Sequence, residues 1–396
     1  MLSPKSAGTV RATLPAVAGA LGEITSRFYT GLFTAHPELQ RDLFNRGNQA
    51  VGSQQQALAG AVAGFATALL EHPDERPDAM LSRIAHKHAS LGITAEQYEV
   101  VHHHLFAAIV DVLGEAVTEE VAAAWDEVYW LMARALIALE ARLYEEAGRE
   151  AGDVWLPCRV VARHTETADV TTFVVRPLGD RPVPAARPGQ YVSVRVALPD
   201  GARQIRQYSI SGFPEDALQF SVKRVAGDPA GEVSGHLHTA VEVGDELVVS
   251  VPFGDVTLAD DDSPVLLASA GIGCTPMIGM LDHLAATGAQ RRIVVVHADR
   301  SESTHAFRSE LEQLVGKLPG AEAHVWYEHP EGPHPADRTG LADLSRITVP
   351  AGTTAYLCGP LPFLRSARAQ LLAAGVPASA VHYEVFGPDL WQGAED

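Results

Sequence analysis

The sequence predicts three domains in series: an all-α domain over residues 1–147, an antiparallel β-barrel over 155–262, and an α/β domain with a parallel sheet over 263–396, with a short polar joint at 148–154. Three observations carry this. Residues 1–147 are rich in Ala and Leu and repeat their apolar positions at helical spacing. Past Gly148 short runs alternate apolar with polar residues, the period of half-buried strands. Beyond Asp260-Asp261-Asp262 continuous apolar runs alternate with helical stretches, which implies strands covered on both faces.

In the first segment Gln54, Leu58, Val62, Phe65 and Leu69 recur at steps of three or four and share one helix face. Breakers fall at His36-Pro37, His72-Pro73 and Arg76-Pro77. A helix over Asp78–Ala89 closes just before Leu91-Gly92, and Thr118-Glu119-Glu120 starts a terminal helix that runs from Val121 to Glu146. The barrel strands are Tyr191–Val196, Leu218–Val225 and Glu246–Val251, separated by turns such as Pro199-Asp200-Gly201. The parallel strands are Val265–Ala268, Ile293–Val296, Ala323–Trp326, Ala355–Leu357 and Tyr383–Phe386.

With 46% hydrophobic and 20% charged residues over 396 positions, the chain has a globular composition too long for one core. Its net charge of −19 is spread over both halves, with 11 basic against 19 acidic residues in 1–150 and 19 against 30 in the remainder. No general basic field exists to bind nucleic acid or anionic lipid. The N-terminus lacks the order of a secretory signal, and no run of apolar residues is long enough to span a bilayer. Cys158, Cys274 and Cys358 stand far apart with no CxxC pair, so neither a disulfide framework nor a structural zinc site is expected. A cytoplasmic monomer is the expectation.

Arg206-Gln207-Tyr208-Ser209 stands on a barrel strand. It offers an aromatic face for an isoalloxazine ring, a hydroxyl, and a guanidinium able to grip pyrophosphate with two hydrogen bonds. Alone, the four residues also fit an ordinary amphipathic strand. Gly231-Glu232-Val233-Ser234 follows, with backbone amides and a hydroxyl suited to phosphate oxygens. Then Gly271-Ile272-Gly273-Cys274-Thr275-Pro276-Met277 leaves the first parallel strand and opens a helix, where glycines admit a ligand and the helix start favours anionic phosphate. The pattern is GxGxxP and not the GxGxxG dinucleotide fingerprint. Cys358-Gly359-Pro360 ends a later strand, at the edge where open α/β sheets bind ligands. In this order the residues resemble the ferredoxin–NADP reductase superfamily over about residues 155–396. The resemblance implies that Tyr191, Arg206, Gln207, Tyr208, Ser209, Gly231, Val233 and Ser234 hold FAD. It implies that Gly271, Ile272, Gly273, Cys274, Thr275 and Pro276 meet NAD(P)H, that Cys358, Gly359 and Pro360 lie near the nicotinamide, and that Phe386 shields the flavin. Arg300 ends the second strand of the α/β domain, where it can meet the adenosine ribose or stand as a plain surface arginine; NADH and NADPH both remain open. Cys274, where a Gln is common, and Val256, where an aromatic is common, depart from the family pattern.

Among the 17 histidines, His86, His88 and His102-His103-His104 fall on helices of the first segment. Three consecutive helical histidines point about 100° apart and cannot hold one metal together. Spacing does not choose among the rest. Phe28-Tyr29, Leu32-Phe33, His36-Pro37-Glu38-Leu39, Leu43-Phe44-Asn45 and Ile84-Ala85-His86-Lys87-His88 resemble bacterial haemoglobins, and with the reductase half the whole chain resembles the flavohemoglobins. That resemblance implies haem b held by His88 as proximal iron ligand and not by His86. It places Phe44 against the porphyrin and Tyr29, Gln54 and Leu58 along the distal pocket. It places Tyr98 and Glu140 behind His88, where a carboxylate makes the imidazole more electron-donating and favours oxygen activation over storage.

The resemblance implies a nitric oxide dioxygenase that turns NO and O₂ into nitrate, with electrons passed from NAD(P)H through FAD to haem. Rival readings are an oxygen or NO sensor or carrier, an alkyl or lipid hydroperoxide reductase on the same cofactors, and an electron-transfer reductase whose helical domain docks a partner. The first needs no reductase. The last is commonly joined to an iron–sulfur domain, for which three scattered cysteines supply too few ligands.

Overall fold

The computed structural model describes residues 1–75, 77–179 and 181–387. The Arg76 breaker and Pro388, which closes the run around Phe386, lie outside the described residues.

Seven helices build the first segment: α1 (Pro4–Ala35), α2 (Pro37–Asp42), α3 (Arg46–Ala50), α4 (Ser53–Glu71), α5 (Asp78–Leu91), α6 (Ala95–Leu113) and α7 (Glu119–Glu146). Their ends are set by local chemistry. Ser3, Asn45 and Thr118 cap α1, α3 and α7 with side-chain oxygens, and Thr94 with Gln97 forms a capping box on α6. Each such cap is worth about 1 kcal/mol. Gly92 ends α5 with φ +77, and a Cβ there would meet the Gly152 carbonyl oxygen at 2.9 Å. The α4 face that carries Leu69 and Phe65 is buried among Val10, Val17, Leu81 and Trp125.

The middle of the chain forms a closed barrel in the order β1-β2-β5-β4-β3-β6. Its strands are β1 (Trp155–Thr167), β2 (Val170–Pro177), β3 (Tyr191–Ala197), β4 (Arg203–Gly212), β5 (Leu218–Lys223) and β6 (Glu246–Ser250), with helix α8 (Glu232–Ala240) between the last two. β1 and β2 were not visible as a pattern: β2 is buried at nearly every position, so no period of two marks it.

The last domain is a five-stranded parallel sheet, ordered β11-β10-β7-β8-β9. It comprises β7 (Val265–Ala270), α9 (Cys274–Ala286), β8 (Ile293–Asp299), α10 (Arg308–Lys317), β9 (Ala321–Tyr327), β10 (Thr354–Cys358), α11 (Leu361–Ala373) and β11 (Val381–Glu384). The final strand lies earlier than the sequence suggests, so Phe386 follows it in a bend and is 47% exposed.

Packing divides the described chain into two compact units. One contains Met1–Trp155 together with Arg195–Arg206, the tip of the β3–β4 hairpin; the other contains Leu156–Val194 and Gln207–Gly387. No helix among the described residues is long and apolar enough to cross a membrane.

Candidate functional site

Within the first unit, α5, α6 and α7 converge on His88. Its Nδ1 lies 2.9 Å from Glu140 Oε1 and 3.0 Å from the Tyr98 hydroxyl. The Tyr98 hydroxyl donates to the same carboxylate oxygen at 2.5 Å. Glu140 is 2% exposed. A buried carboxylate accepting from Nδ1 keeps the proton there, which leaves the lone pair on Nε2, the atom a metal takes. Burial, then the neighbouring carboxylate, drives the Tyr98 phenol well above its ordinary range, so it stays a donor. His86, two residues earlier on the helix, points about 200° away. The His102–His104 run does other work: His102 Nε2 meets Asp126 Oδ1 at 2.7 Å and its ring stacks on Phe106.

A second set gathers on α1, α4 and the α2–α3 turn. Tyr29 is buried, and its ring lies 5.8 Å edge-on from Phe44 and 5.6 Å from Phe33. Leu58 packs against the same cluster. Burial raises the Tyr29 phenol far above its usual value, while the amides of Gln54 and Gln49 work in the opposite direction. Gln49 was not foreseen. Its Oε1 accepts from Gln55 Nε2 at 3.2 Å, and its buried Nε2 lies near Tyr29 without meeting hydrogen-bonding geometry. It stands on the short helix α3, outside the helical period that marked Gln54 and Leu58.

The Arg206-Gln207-Tyr208-Ser209 run lies on β4. Tyr208 stacks on Phe220 at 5.6 Å, and Phe220 in turn on Phe173. Gln207 Nε2 donates to Ser193 Oγ at 3.0 Å. Tyr191 is held by two backbone hydrogen bonds to Phe253, at 2.8 and 3.0 Å. Gly231 caps α8, whose first turn carries Val233 and Ser234. Both are buried, and the Ser234 hydroxyl accepts from Val225 N at 3.1 Å and donates to the Gly231 carbonyl at 3.2 Å. This hydroxyl closes the loop, and the helix start presents backbone amides.

Gly271–Gly273 forms a single 3₁₀ turn between β7 and α9, with Gly271 at φ +54. The turn meets the other nucleotide motif directly. A Cβ on Gly273 would fall 2.3 Å from the Cys358 carbonyl oxygen, and one on Gly359 would fall 3.1 Å from Ala270. Thr275 Oγ1 bonds back to the Ile272 carbonyl at 3.1 Å, and Pro276 is buried in the first turn of α9. Pro360 caps α11. Cys274 faces the core, its Sγ 3.8 Å from the Ala306 carbonyl, and so offers a ligand only backbone. Burial raises the Cys274 and Cys358 thiols well above their usual range and pushes Cys158 up to about 12. All three thiols are free.

Behind this edge sits a group that the sequence did not announce. His297 Nδ1 bonds Ser269 Oγ at 2.9 Å, its ring stacks 4.0 Å from His305, and His305 Nδ1 bonds the Tyr327 hydroxyl at 2.8 Å. Burial lowers His305 to about 2, so that ring is neutral. Asp299 Oδ1 accepts from Arg300 N at 2.7 Å and Thr304 Oγ1 at 2.6 Å. That fixes the turn carrying Arg300, which is exposed.

Each half therefore presents chemistry suited to a different group: a histidine backed by a carboxylate, and a flavin-type strand beside a glycine turn. Comparison with known proteins agrees. Residues 26–136 match the globin family, 157–258 the oxidoreductase FAD-binding domain and 267–369 the oxidoreductase NAD-binding domain. The chain is 44% identical to the flavohemoprotein of Bordetella pertussis over 98% of its own length and 99% of that protein's. It belongs to the flavohemoprotein family. The flavohemoprotein of Rhizobium meliloti is 40% identical over 99% of this chain and 100% of its own. Among solved structures, the flavohemoglobin of Malassezia yamatoensis, crystallised with FAD and heme, superposes with a TM-score of 0.90 at 37% identity, covering 98% of this chain and 100% of that one. The FAD/NAD-binding domain of the nitric oxide dioxygenase from Vibrio cholerae gives a TM-score of 0.55 at 37% identity, covering 59% of this chain and 99% of that one. Like these flavohemoproteins, the chain is an oxidoreductase with a helical globin domain, an antiparallel FAD-type barrel and a parallel NAD-type sheet.

Proposed function

We propose that this flavohemoprotein is a nitric oxide dioxygenase that holds haem b, FAD and NAD(P)H and consumes NO and O₂ to give nitrate. The observation that carries the reading is the His88–Glu140–Tyr98 group. A neutral imidazole whose far nitrogen is gripped by a buried carboxylate is a strongly donating ligand, which suits activation of a bound gas and not its storage. Bound together, the three groups supply a hydride, its division into single electrons, and an iron that holds a diatomic gas.

The residues of the chain divide the remaining work. His88 Nε2 holds the iron, and Glu140 and Tyr98 keep the proton on Nδ1. Phe44 packs against the porphyrin. Tyr29 keeps its proton and donates it as a hydrogen bond toward negative charge on the distal side, with Gln54 orienting the hydroxyl. Leu58 keeps that side apolar, which favours entry of an uncharged gas. Arg206 and Ser209 grip the flavin, Tyr208 and Tyr191 flank it, and Gly231 leads the α8 amides to its pyrophosphate. The turn Gly271–Gly273 and the run Cys358–Pro360 admit the nicotinamide, with Arg300 at the adenosine end and Phe386 shielding the flavin. The carrier reading gives no role to the two reductase domains.

The test is a visible spectrum of the purified protein, followed by NAD(P)H and then NO under air, with nitrate measured. Stoichiometric nitrate from the wild-type chain is expected, with slower turnover and faster loss of O₂ in Tyr29→Phe. No nitrate from a protein that holds both haem and flavin would overturn the assignment. Glu140→Gln is expected to retain haem, to lower the iron–histidine stretching frequency and to raise the haem midpoint potential, because the imidazole loses its negative partner. An unshifted stretch would remove Glu140 from the electronic role.

A further inference from the structure

Gln204 is 0% exposed and lies within the first unit, on β4, two residues before Arg206. Its Nε2 faces three carbonyl oxygens: Gln40 at 3.3 Å, Arg41 at 3.0 Å and Phe44 at 3.1 Å. Gln40 and Arg41 lie in the last turn of α2, so two of these are carbonyls that a helix terminus leaves without an internal partner. Its Oε1 accepts from Arg46 N at 3.3 Å and from Arg206 Nη1 at 3.3 Å. One amide thus grips both sides of the Phe44 turn and, on the same oxygen, the flavin-strand arginine.

The surroundings hold the turn at a second point. Asp42 accepts from Arg203 N at 3.1 Å and from Arg203 Nη2 at 2.8 Å, and Arg46 Nη1 meets Asp200 Oδ2 at 2.7 Å. These ion pairs are exposed and contribute little each. Gln204 is buried, and a buried amide without partners is costly, so its partners move together with it or not at all. Gln204 Oε1 is already engaged by Arg46 N on the far side of the turn, and the Arg206 bond adds the flavin-strand guanidinium to the same oxygen. Arg206 Nη1 also donates to the Ile205 carbonyl at 2.7 Å, which fixes the guanidinium plane relative to the amide.

We propose that Gln204 is a positioning residue that couples the two cofactor sites: when Arg206 closes on the flavin pyrophosphate, Gln204 draws the Phe44 turn tight and slows loss of haem. The inference rests on the haem and flavin roles proposed above for Phe44 and Arg206. Coupling of equilibrium affinities is reciprocal, so whatever factor flavin adds to haem affinity, haem adds to flavin affinity.

The experiment is the rate at which excess apomyoglobin captures haem from the full chain, measured with flavin bound and after its removal. In the wild type, removal of flavin is expected to speed capture by about 5-fold or more, the lower end of ordinary coupling. In Gln204→Met, which keeps length and loses every hydrogen bond, the two rates are expected to converge. Gln204→Asn, which keeps the amide but cannot reach, is expected to behave alike. General loosening of the fold would speed both rates and leave their ratio intact, so the ratio isolates the coupling. A wild-type ratio of one overturns the proposal whether or not the variants fold, and so does an undiminished ratio in either variant. A wild-type chain that holds no haem or no flavin fails at the first spectrum, which identifies the parent reading as the fault.

Discussion

Replacing His88 with alanine is expected to yield a protein that keeps its flavin and loses its haem. The neighbouring candidate His86, on the same helix, points about 200° away. The substitution also takes one partner from Glu140, a carboxylate only 2% exposed, and leaves it with Tyr98. Weakening a buried group's hydrogen bonding in this way costs about 1–3 kcal/mol, so some loss of thermal stability in the helical domain should accompany the loss of the Soret band. Reduction of ferricyanide by NAD(P)H should be unchanged, because every residue proposed for that path lies on the barrel, the parallel sheet or the segments that follow their strands. His86→Ala should keep its haem. Normal haem content in His88→Ala would refute the ligand role.

The second large effect is expected at Gly273. A methyl group there would stand 2.3 Å from the Cys358 carbonyl oxygen, 2.6 Å from its carbon and 2.8 Å from Gly359 N. All three are backbone atoms and cannot rotate away. Gly273→Ala must therefore push the start of α9 from the end of β10, which separates the two segments proposed to hold the nicotinamide. A misplacement near 1 Å at a reacting centre costs about 100-fold in rate. Oxidation of NAD(P)H should fall by at least that factor, while haem and flavin contents stay normal and dithionite still reduces both. Ordinary NAD(P)H kinetics in this variant would show that the two segments do not form the hydride site.

Much of this arrangement was legible in the residues because the chemistry is written in short runs. Gly271–Pro276 and Cys358–Pro360 each sit at a strand end, and the parallel sheet brings strand ends together whatever the distance in sequence. The α4 face could be read because buried and exposed positions follow the helical period. The histidine proposed as iron ligand was different: spacing did not choose between His86 and His88, and the proposal rests on the family pattern together with the hydrogen bonds of His88 to Glu140 and Tyr98. Glu140 stands 52 residues from His88, and a charge late in a long helix looks like any solvated glutamate until burial is known.

What escaped has a common cause. Gln204 lies on the same strand face as Arg206, at the spacing of two that a strand imposes, yet an amide beside two apolar-flanked arginines carries no mark of its partners on α2. Gln49 lies on α3, a helix of five residues and too short to show a period. The His297–His305 stack joins residues from β8 and the loop after it, and the neutrality of His305 follows from burial and not from sequence. Strand β2 hid because burial on both sides erases alternation.

The sulfur chemistry has a practical corollary. With all three thiols buried and raised by that burial, their ionised form is scarce at neutral pH. Peroxides, nitrosating agents and alkylating dyes all attack the ionised form. A native molecule is thus nearly invisible to them, and each labelled cysteine marks a chain that has opened.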